Sequence, residues 1–148
     1  MKVVAFNGSA RRGGNTAILL GYTLGELEKE GIETELVELG GAEIHGCRAC
    51  RQCSVRKNRR CSQENDMGNV CIEKMDAADG ILLGSPTYVA DVSPEIKALI
   101  DRACLVSKAN IGIGREPGEV EKDEEGIQTM KDLGRNMAWL LKKIHAQG

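Results

Sequence analysis

The spacing of apolar positions along this chain switches repeatedly between a short run and a helical period. Val3, Val4, Ala5 and Phe6 make a compact apolar run over 2–6, the pattern of a buried strand. From Ala17 the period lengthens. Ala17, Leu20, Leu24 and Leu27 share one face of a helix predicted over 16–30, and Gly31 suits its C′ stop. Leu36, Val37 and Leu39 mark a second strand over 33–39, ended by Gly40 and Gly41. Residues 46–61 are polar and basic with no apolar period, so they read as a loop. Asp66 is placed to cap a helix carrying Val70, Cys71 and Met75, and residues 80–84 (Gly-Ile-Leu-Leu-Gly) form a third apolar run. Ser93 and Pro94 suit the N-cap and N1 positions of a helix with Ile96, Leu99, Ile100 and Ala103 on its apolar face. Ile127, Met130, Leu133, Met137, Leu140, Leu141 and Ile144 predict a final helix within 123–145. Between the last two helices, 111–114 (Ile-Gly-Ile-Gly) is too short and too glycine-rich to serve well as a strand.

Strands alternating with helices predict an α/β fold with a parallel sheet. The 148 residues fit one domain, 1–148, with 46–61 as a cysteine-rich loop. Ligands of such sheets sit at the carboxyl ends of the strands, which puts the loops after the first and third strands on one rim.

The first rim loop reads Gly8-Ser9-Ala10-Arg11-Arg12-Gly13-Gly14-Asn15-Thr16. A strand, a glycine- and hydroxyl-rich turn and a helix start together make a phosphate site, because helix N–H groups and the helix dipole both favour an anion. Ser9 and Thr16 offer hydroxyls, Asn15 an amide and Arg11 or Arg12 a charged fork. The plainer reading is a glycine-rich turn with Asn15 as an N-cap. A Walker loop is excluded because Gly14-Asn15 stands where lysine would precede Thr16, and G-x-G-x-x-G is absent. What remains suits one terminal phosphate, as in a mononucleotide such as FMN. The second rim loop, Gly84-Ser85-Pro86-Thr87-Tyr88, can present backbone groups to the polar edge of a flat ring, with Tyr88 against it. Alone, it is better explained as a turn whose Tyr88 covers the core; paired with the first loop on one rim, the binding reading gains the advantage.

Cys47, Cys50, Cys53 and Cys61 are spaced C-x2-C-x2-C-x7-C. Two successive x2 gaps let three thiolates meet one inorganic centre, and a fourth completes the all-cysteine ligand set of a [4Fe–4S] cluster. Zinc is the less expected occupant, since its all-cysteine sites are built from paired C-x2-C units. Four thiols in a plain loop are the remaining reading. Arg48, Arg51, Arg56, Lys57, Arg59 and Arg60 crowd the same segment. They could offset cluster charge or dock an acidic electron-transfer partner, although solvated loop surface also accounts for a charge run. Cys71 and Cys104 fall in helical patterns and read as core packing, and His45 is a conceivable spare ligand.

Composition narrows the function classes. Hydrophobic residues make up 41% and charged residues 28%, as in soluble globular proteins. A net charge of −2 gives no reason to expect nucleic acid or an anionic membrane as partner. No apolar run approaches a membrane span, and the start of the chain reads as a strand and not a signal peptide, so the cytoplasm is the expected compartment. Six cysteines there point to metal or redox chemistry before disulfides. No constellation of Asp, His and Ser suggests acid–base or nucleophilic catalysis, so no catalytic side chain is assigned.

Taken together these motifs resemble the iron–sulfur flavoproteins within the NADPH-dependent FMN reductase family. Residues 3–16 look like that family's FMN-phosphate loop, 84–88 like its flavin-ring loop, and 47–61 like the compact cluster motif of its iron–sulfur branch. Residues 93–102, with Lys97, Asp101 and Arg102, also match its pattern. The resemblance implies a flavodoxin-like doubly wound parallel sheet, FMN, and electron transfer through the flavin. It implies that Ser9, Arg11, Gly13, Gly14, Asn15 and Thr16 hold the phosphate, that Ser85, Pro86, Thr87 and Tyr88 line the ring, and that Cys47, Cys50, Cys53 and Cys61 ligate the cluster. It further implies NAD(P)H as a donor, a small-molecule or ferredoxin-like protein partner, and a homo-oligomer in which one subunit's cluster approaches another's FMN. A non-enzymatic flavodoxin-like carrier is the alternative function, and a shortened chain with structural zinc the third. One departure stands out. Relatives carry a fourth strand, a helix and a fifth strand where Asn110 here meets Ile111, so a strand–helix–strand unit of roughly 30 or more residues is expected to be missing.

Overall fold

The computed structural model describes residues 1–110 together with 121, 124–125, 127–128, 131–132 and 134–135. Residues 1–106 form one compact unit and 107–148 a second. In the first, the elements run β1 (Lys2–Asn7), α1 (Asn15–Lys29), β2 (Glu33–Glu38), α2 (Gln52–Arg56), α3 (Gly68–Asp76), β3 (Gly80–Gly84) and α4 (Pro94–Asn110), the last reaching into the second unit. In the second unit, described residues 124–125, 127–128, 131–132 and 134–135 are helical. The rest of the helix expected within 123–145, and residues 111–114, lie outside the described residues.

The three strands are parallel in the order β2-β1-β3, the mixed α/β arrangement of a flavodoxin-like sheet. Val4 pairs in register with Glu35 and Ile81, and Phe6 with Val37 and Leu83. Successive side chains alternate between faces, so β1 serves two cores. Ala5 packs with Leu20 and Leu24 of α1 on one face. Val4 and Phe6 join Val37, Leu39, Cys71, Ile96 and Leu99 on the other. β3 stands at an edge among the described strands, and its Ile81 and Leu83 are about half exposed.

Most boundaries match the apolar pattern, and the differences have local causes. Gly14, not Asn15, is the N-cap of α1, and it brings no side chain to the helix end. Ser93 caps α4 as expected, its Oγ accepting from the Ile96 N–H at 3.4 Å. Asp66 accepts the Gly68 N–H on Oδ1 at 3.0 Å, so it serves the start of α3 one residue ahead of Met67, the formal N-cap. The short helix α2 carries no buried residue and leaves no trace in the apolar pattern. Cys71 is fully buried as expected, but Cys104 is exposed: it lies on the outer side of α4, where apolar periodicity alone does not separate it from the core face.

Candidate functional site

Two sites emerge, one on the rim of the sheet and one in the cysteine loop. On the rim, the loops after β1 and β3 are joined directly, with the Gly8 N–H donating to the Gly84 carbonyl at 2.8 Å. A Cβ on Gly8 would stand 2.2 Å from Ile96 Cγ1, so only glycine lets α4 approach this closely. The loop then folds on itself. Ser9 N–H donates to Asn7 Oδ1 at 3.0 Å, Arg11 N–H to Ser9 Oγ at 3.2 Å and Gly14 N–H to the Arg11 carbonyl at 3.1 Å, with Gly13 at φ +64°. Ser9 is thereby buried, whereas Arg11, Arg12, Gly13 and Asn15 are exposed and Gly14 and Thr16 half-buried. α1 starts here with neither a side-chain cap nor an acidic residue in its first turn. Such an end leaves N–H donors and about half a positive charge facing outward.

The second rim loop is equally organised. Ser85 Oγ donates to the Pro86 carbonyl at 2.7 Å and accepts from Ser93 N–H at 2.8 Å. Tyr88 and Asp91 exchange backbone hydrogen bonds at 2.8 and 2.9 Å across a tight turn whose central residues, Val89 and Ala90, lie at φ +47° and +64°. A β-branched residue in that region is strained. Tyr88 and Ala10 line one open cleft of about 450 Å³, with Asp91, Val92, Pro94, Glu95 and Lys97. The cleft thus joins the two loops predicted from sequence. Sequence pattern misses its floor from the start of α4, because that segment reads simply as a helix start. Among the predicted ring-loop residues, Thr87 and Tyr88 are exposed and Ser85 and Pro86 half-buried.

The cysteine loop has a different construction. Cys47, Cys50, Cys53 and Cys61 all line one cavity of about 140 Å³, together with Arg48, Arg51, Arg102 and Leu105. All six cysteines of the chain are free thiols. Among the described residues no three His, Cys, Asp or Glu side chains stand close enough to share one metal ion. Ala49, Arg51, Lys57 and Arg59 take positive φ here. With Val89 and Ala90 they are the only non-glycine residues to do so among the described residues, so every such strained position lies in one of the two candidate sites. Cys50 Sγ lies 3.1 Å from Ser62 Oγ, and that hydrogen bond, with the Gln52 backbone and nearby Arg48, holds its pKa below the usual thiol value. Burial pushes Cys71, which is outside the cavity lining, up to about 11.

Asp66 and Arg102 fasten this loop from below. Asp66 Oδ2 accepts from the His45 N–H at 2.9 Å and from the Arg102 guanidinium. Arg102 also donates to the carbonyls of His45 at 3.3 Å and Gln63 at 2.8 Å. Burial alone would raise the Asp66 pKa. Arg102 and the N–H groups of His45 and Gly68 outweigh it and bring it to about 2. His45 is held by Asp66 and Glu43 and does not line the cysteine cavity. Of the basic run, Arg56, Arg59 and Arg60 pair with Glu64, Asp76 and Glu73 at 3.9, 3.2 and 3.5 Å, as solvated surface charges do. Sequence alone gives neither Asp66 nor Arg102 a role at the cysteine loop. They stand 36 residues apart, and such a separation leaves no signature in the chain.

Among the described residues no helix is long and apolar enough to cross a membrane. The family model described as NADPH-dependent FMN reductase matches residues 1–115. An iron–sulfur flavoprotein of Methanocaldococcus jannaschii, MJ1083, is 28% identical over 194 aligned positions, covering 97% of this chain and 99% of that protein. Those positions outnumber the 148 residues here, so the relative carries internal residues with no counterpart in this chain. An iron–sulfur flavoprotein of Methanosarcina thermophila is 34% identical over 80% of this chain, and one of Archaeoglobus fulgidus is 39% identical over 74%. These matches span 60% and 52% of the two relatives. No solved structure matches the chain significantly. With the phosphate-type turn, the second rim loop and the parallel sheet in place, the chain belongs to the NADPH-dependent FMN reductase family, a family of FMN-dependent oxidoreductases.

Proposed function

We propose that this chain holds FMN across the rim of its sheet and a [4Fe–4S] cluster in the cysteine cavity, and passes electrons between them. The observation that carries the reading is the lining of one 140 Å³ cavity by all four motif cysteines. A lone zinc ion draws its sulfurs to about 2.3 Å from one point. A cubane takes its four thiolates on the outside of a body with volume, which suits sulfurs spread around a cavity. The names of the relatives agree with this choice, and zinc becomes the outcome that would defeat it.

The flavin supplies hydride or single-electron chemistry and the cluster supplies single-electron chemistry. What the chain itself does is bind and orient. The uncapped start of α1, with Gly13, Asn15 and Thr16, offers N–H donors to a phosphate, Gly14 closes the turn through its N–H on the Arg11 carbonyl, and Arg11 adds charge beside it. Ser9 shapes that turn from within. Ser85 and Pro86 fix the second loop beside the cleft that Tyr88 lines, where a flat ring can lie, with Thr87 exposed next to it. Arg48 and Arg51 at the cysteine cavity give it a cationic border, suited to an acidic donor such as a small ferredoxin-like protein. NAD(P)H is the small-molecule donor we assign to the flavin face. A homo-oligomer would let one copy's cysteine cavity approach another's cleft.

Anaerobic reconstitution tests the reading. Purified protein should hold one FMN and about four irons per chain, with the visible absorption of both. Zinc without iron, or colourless protein, overturns it. Turnover of NAD(P)H with a quinone or ferric acceptor then separates an enzyme from a carrier that only shuttles electrons.

A further inference from the structure

We infer that Arg102 is a positioning residue for the cluster site: its Nε–H donates a hydrogen bond toward the sulfur of Cys61 and so raises the potential of the centre those cysteines hold. The inference rests on the cluster reading above.

Arg102 is 1% exposed and projects from α4 into the wall of the cysteine cavity. Its two terminal nitrogens are occupied with Asp66, His45 and Gln63. Its Nε is buried and has no hydrogen-bond partner. A buried donor left unpaired is costly, more so when charged, and native structures seldom leave one without a purpose. A purely structural ion pair explains the terminal nitrogens and leaves Nε unexplained. The cavity that Arg102 lines supplies the missing acceptor class, a thiolate or cluster sulfur.

Cys61 is the sulfur best placed to receive it. It is the one buried member of the four. Its backbone is fixed on both sides by one side chain: Asn69 Oδ1 accepts the Cys61 N–H at 2.7 Å, and Asn69 Nδ2 donates to the Cys61 carbonyl at 2.9 Å. Burial works against the guanidinium charge, but Asp66 and Cys61 are the groups that hold it, and its pKa is raised. The guanidinium therefore keeps its protons throughout and donates without transferring one. A hydrogen bond to a ligating sulfur favours the more negative, reduced form of a cluster.

The test uses anaerobically reconstituted full-length protein carrying 15N at arginine Nε. Pulsed EPR of the dithionite-reduced sample should show a 15N coupling to the cluster, and Arg102→Lys should abolish it. Lysine keeps the positive charge opposite Asp66 but has no Nε–H. Its cluster should be harder to reduce by about tenfold in the equilibrium constant, equivalent to about 59 mV for one electron. A cluster-bearing wild type without the coupling overturns the inference alone, whether or not the variant folds. A coupling that survives in Arg102→Lys, or an unchanged potential, also overturns it. A wild type that assembles no cluster overturns the cluster reading and this inference together.

Discussion

The rim loop after β1 and the cysteine loop carry comparable chemistry on opposite kinds of support. In the rim loop, Ser9, Arg11 and Gly14 are bonded to residues two or three positions away, and the turn runs straight into α1. In the cysteine loop the holding groups come from far along the chain. Asn69 clamps Cys61 from eight residues away, Asp66 reaches His45 across 21, and Arg102 reaches His45 across 57. Apart from the Gly8 N–H bond to the Gly84 carbonyl, one loop is closed within itself, while the other is shaped by a buried charge pair beneath it. The contrast predicts that damage to the pair disturbs the cysteine loop selectively, and that damage within the rim turn stays there.

The sharpest break comes from the pair itself. Asp66 and Arg102 have side chains 3% and 0% exposed. Removing one partner of such a pair strands a buried charge, so Asp66→Ala should lose about 3–5 kcal/mol in urea unfolding. Iron loading should fall with it, whereas FMN affinity of the protein that remains folded should hold. A slightly smaller effect follows from Gly68→Ala. The new Cβ would lie 2.2 Å from the Arg102 guanidinium, a group pinned by Asp66, His45 and Gln63 and unable to swing aside. Overpacking of this kind costs about 3 kcal/mol at the upper end of its range. The same unfolding curves measure it, and an unchanged midpoint would show that the guanidinium has room to move.

This difference in support also explains what can be read without a structure. The strands over 2–6 and 80–84, the start of α4 at Ser93-Pro94 and the turn after β1 each announce themselves through residues adjacent in the chain. The four cysteines can be recognised by spacing, but not the cavity they line, because its wall includes Arg102 and Leu105 of α4. The apolar pattern assigns Cys104 to the core for a related reason. It sits one residue from Ala103, which packs against both core clusters of that face, and a helical period cannot decide which side of a boundary a small residue takes. The helix α2 is invisible to pattern because nothing in it is buried. Where neighbours in sequence hold the structure, the sequence reports it; where a distant charge does, it does not.

Acid should reveal the same pair without any substitution. The Asp66 carboxyl titrates at about 2 in the folded chain, against an ordinary 3.8. A depressed folded pKa contributes stability that is fully present above 3.8 and is lost as pH falls from there through about 2. The contribution is about 2 kcal/mol, and the wild type should lose it between those pH values. Asp66→Asn removes the titrating group, so its stability should fall less steeply over that window. Parallel curves for the two proteins would mean that other carboxylates dominate the acid limb.

The smallest effect tests the other side of the comparison. Ser9→Ala removes the Oγ that accepts from Arg11 N–H at 3.2 Å, leaving the rest of the turn closed by Gly14 N–H on the Arg11 carbonyl. One neutral hydrogen bond is worth about 1 kcal/mol. If that energy keeps the turn shaped for a phosphate, the FMN dissociation constant should rise by about fivefold. Iron per chain should not change, because the Ser9 side chain bonds only within its own turn. Equilibrium titration with FMN followed by iron analysis of the same sample measures both. Loss of iron in step with FMN would show that the two loops stand or fall together, and that local support in the rim loop does not insulate it from the cysteine loop.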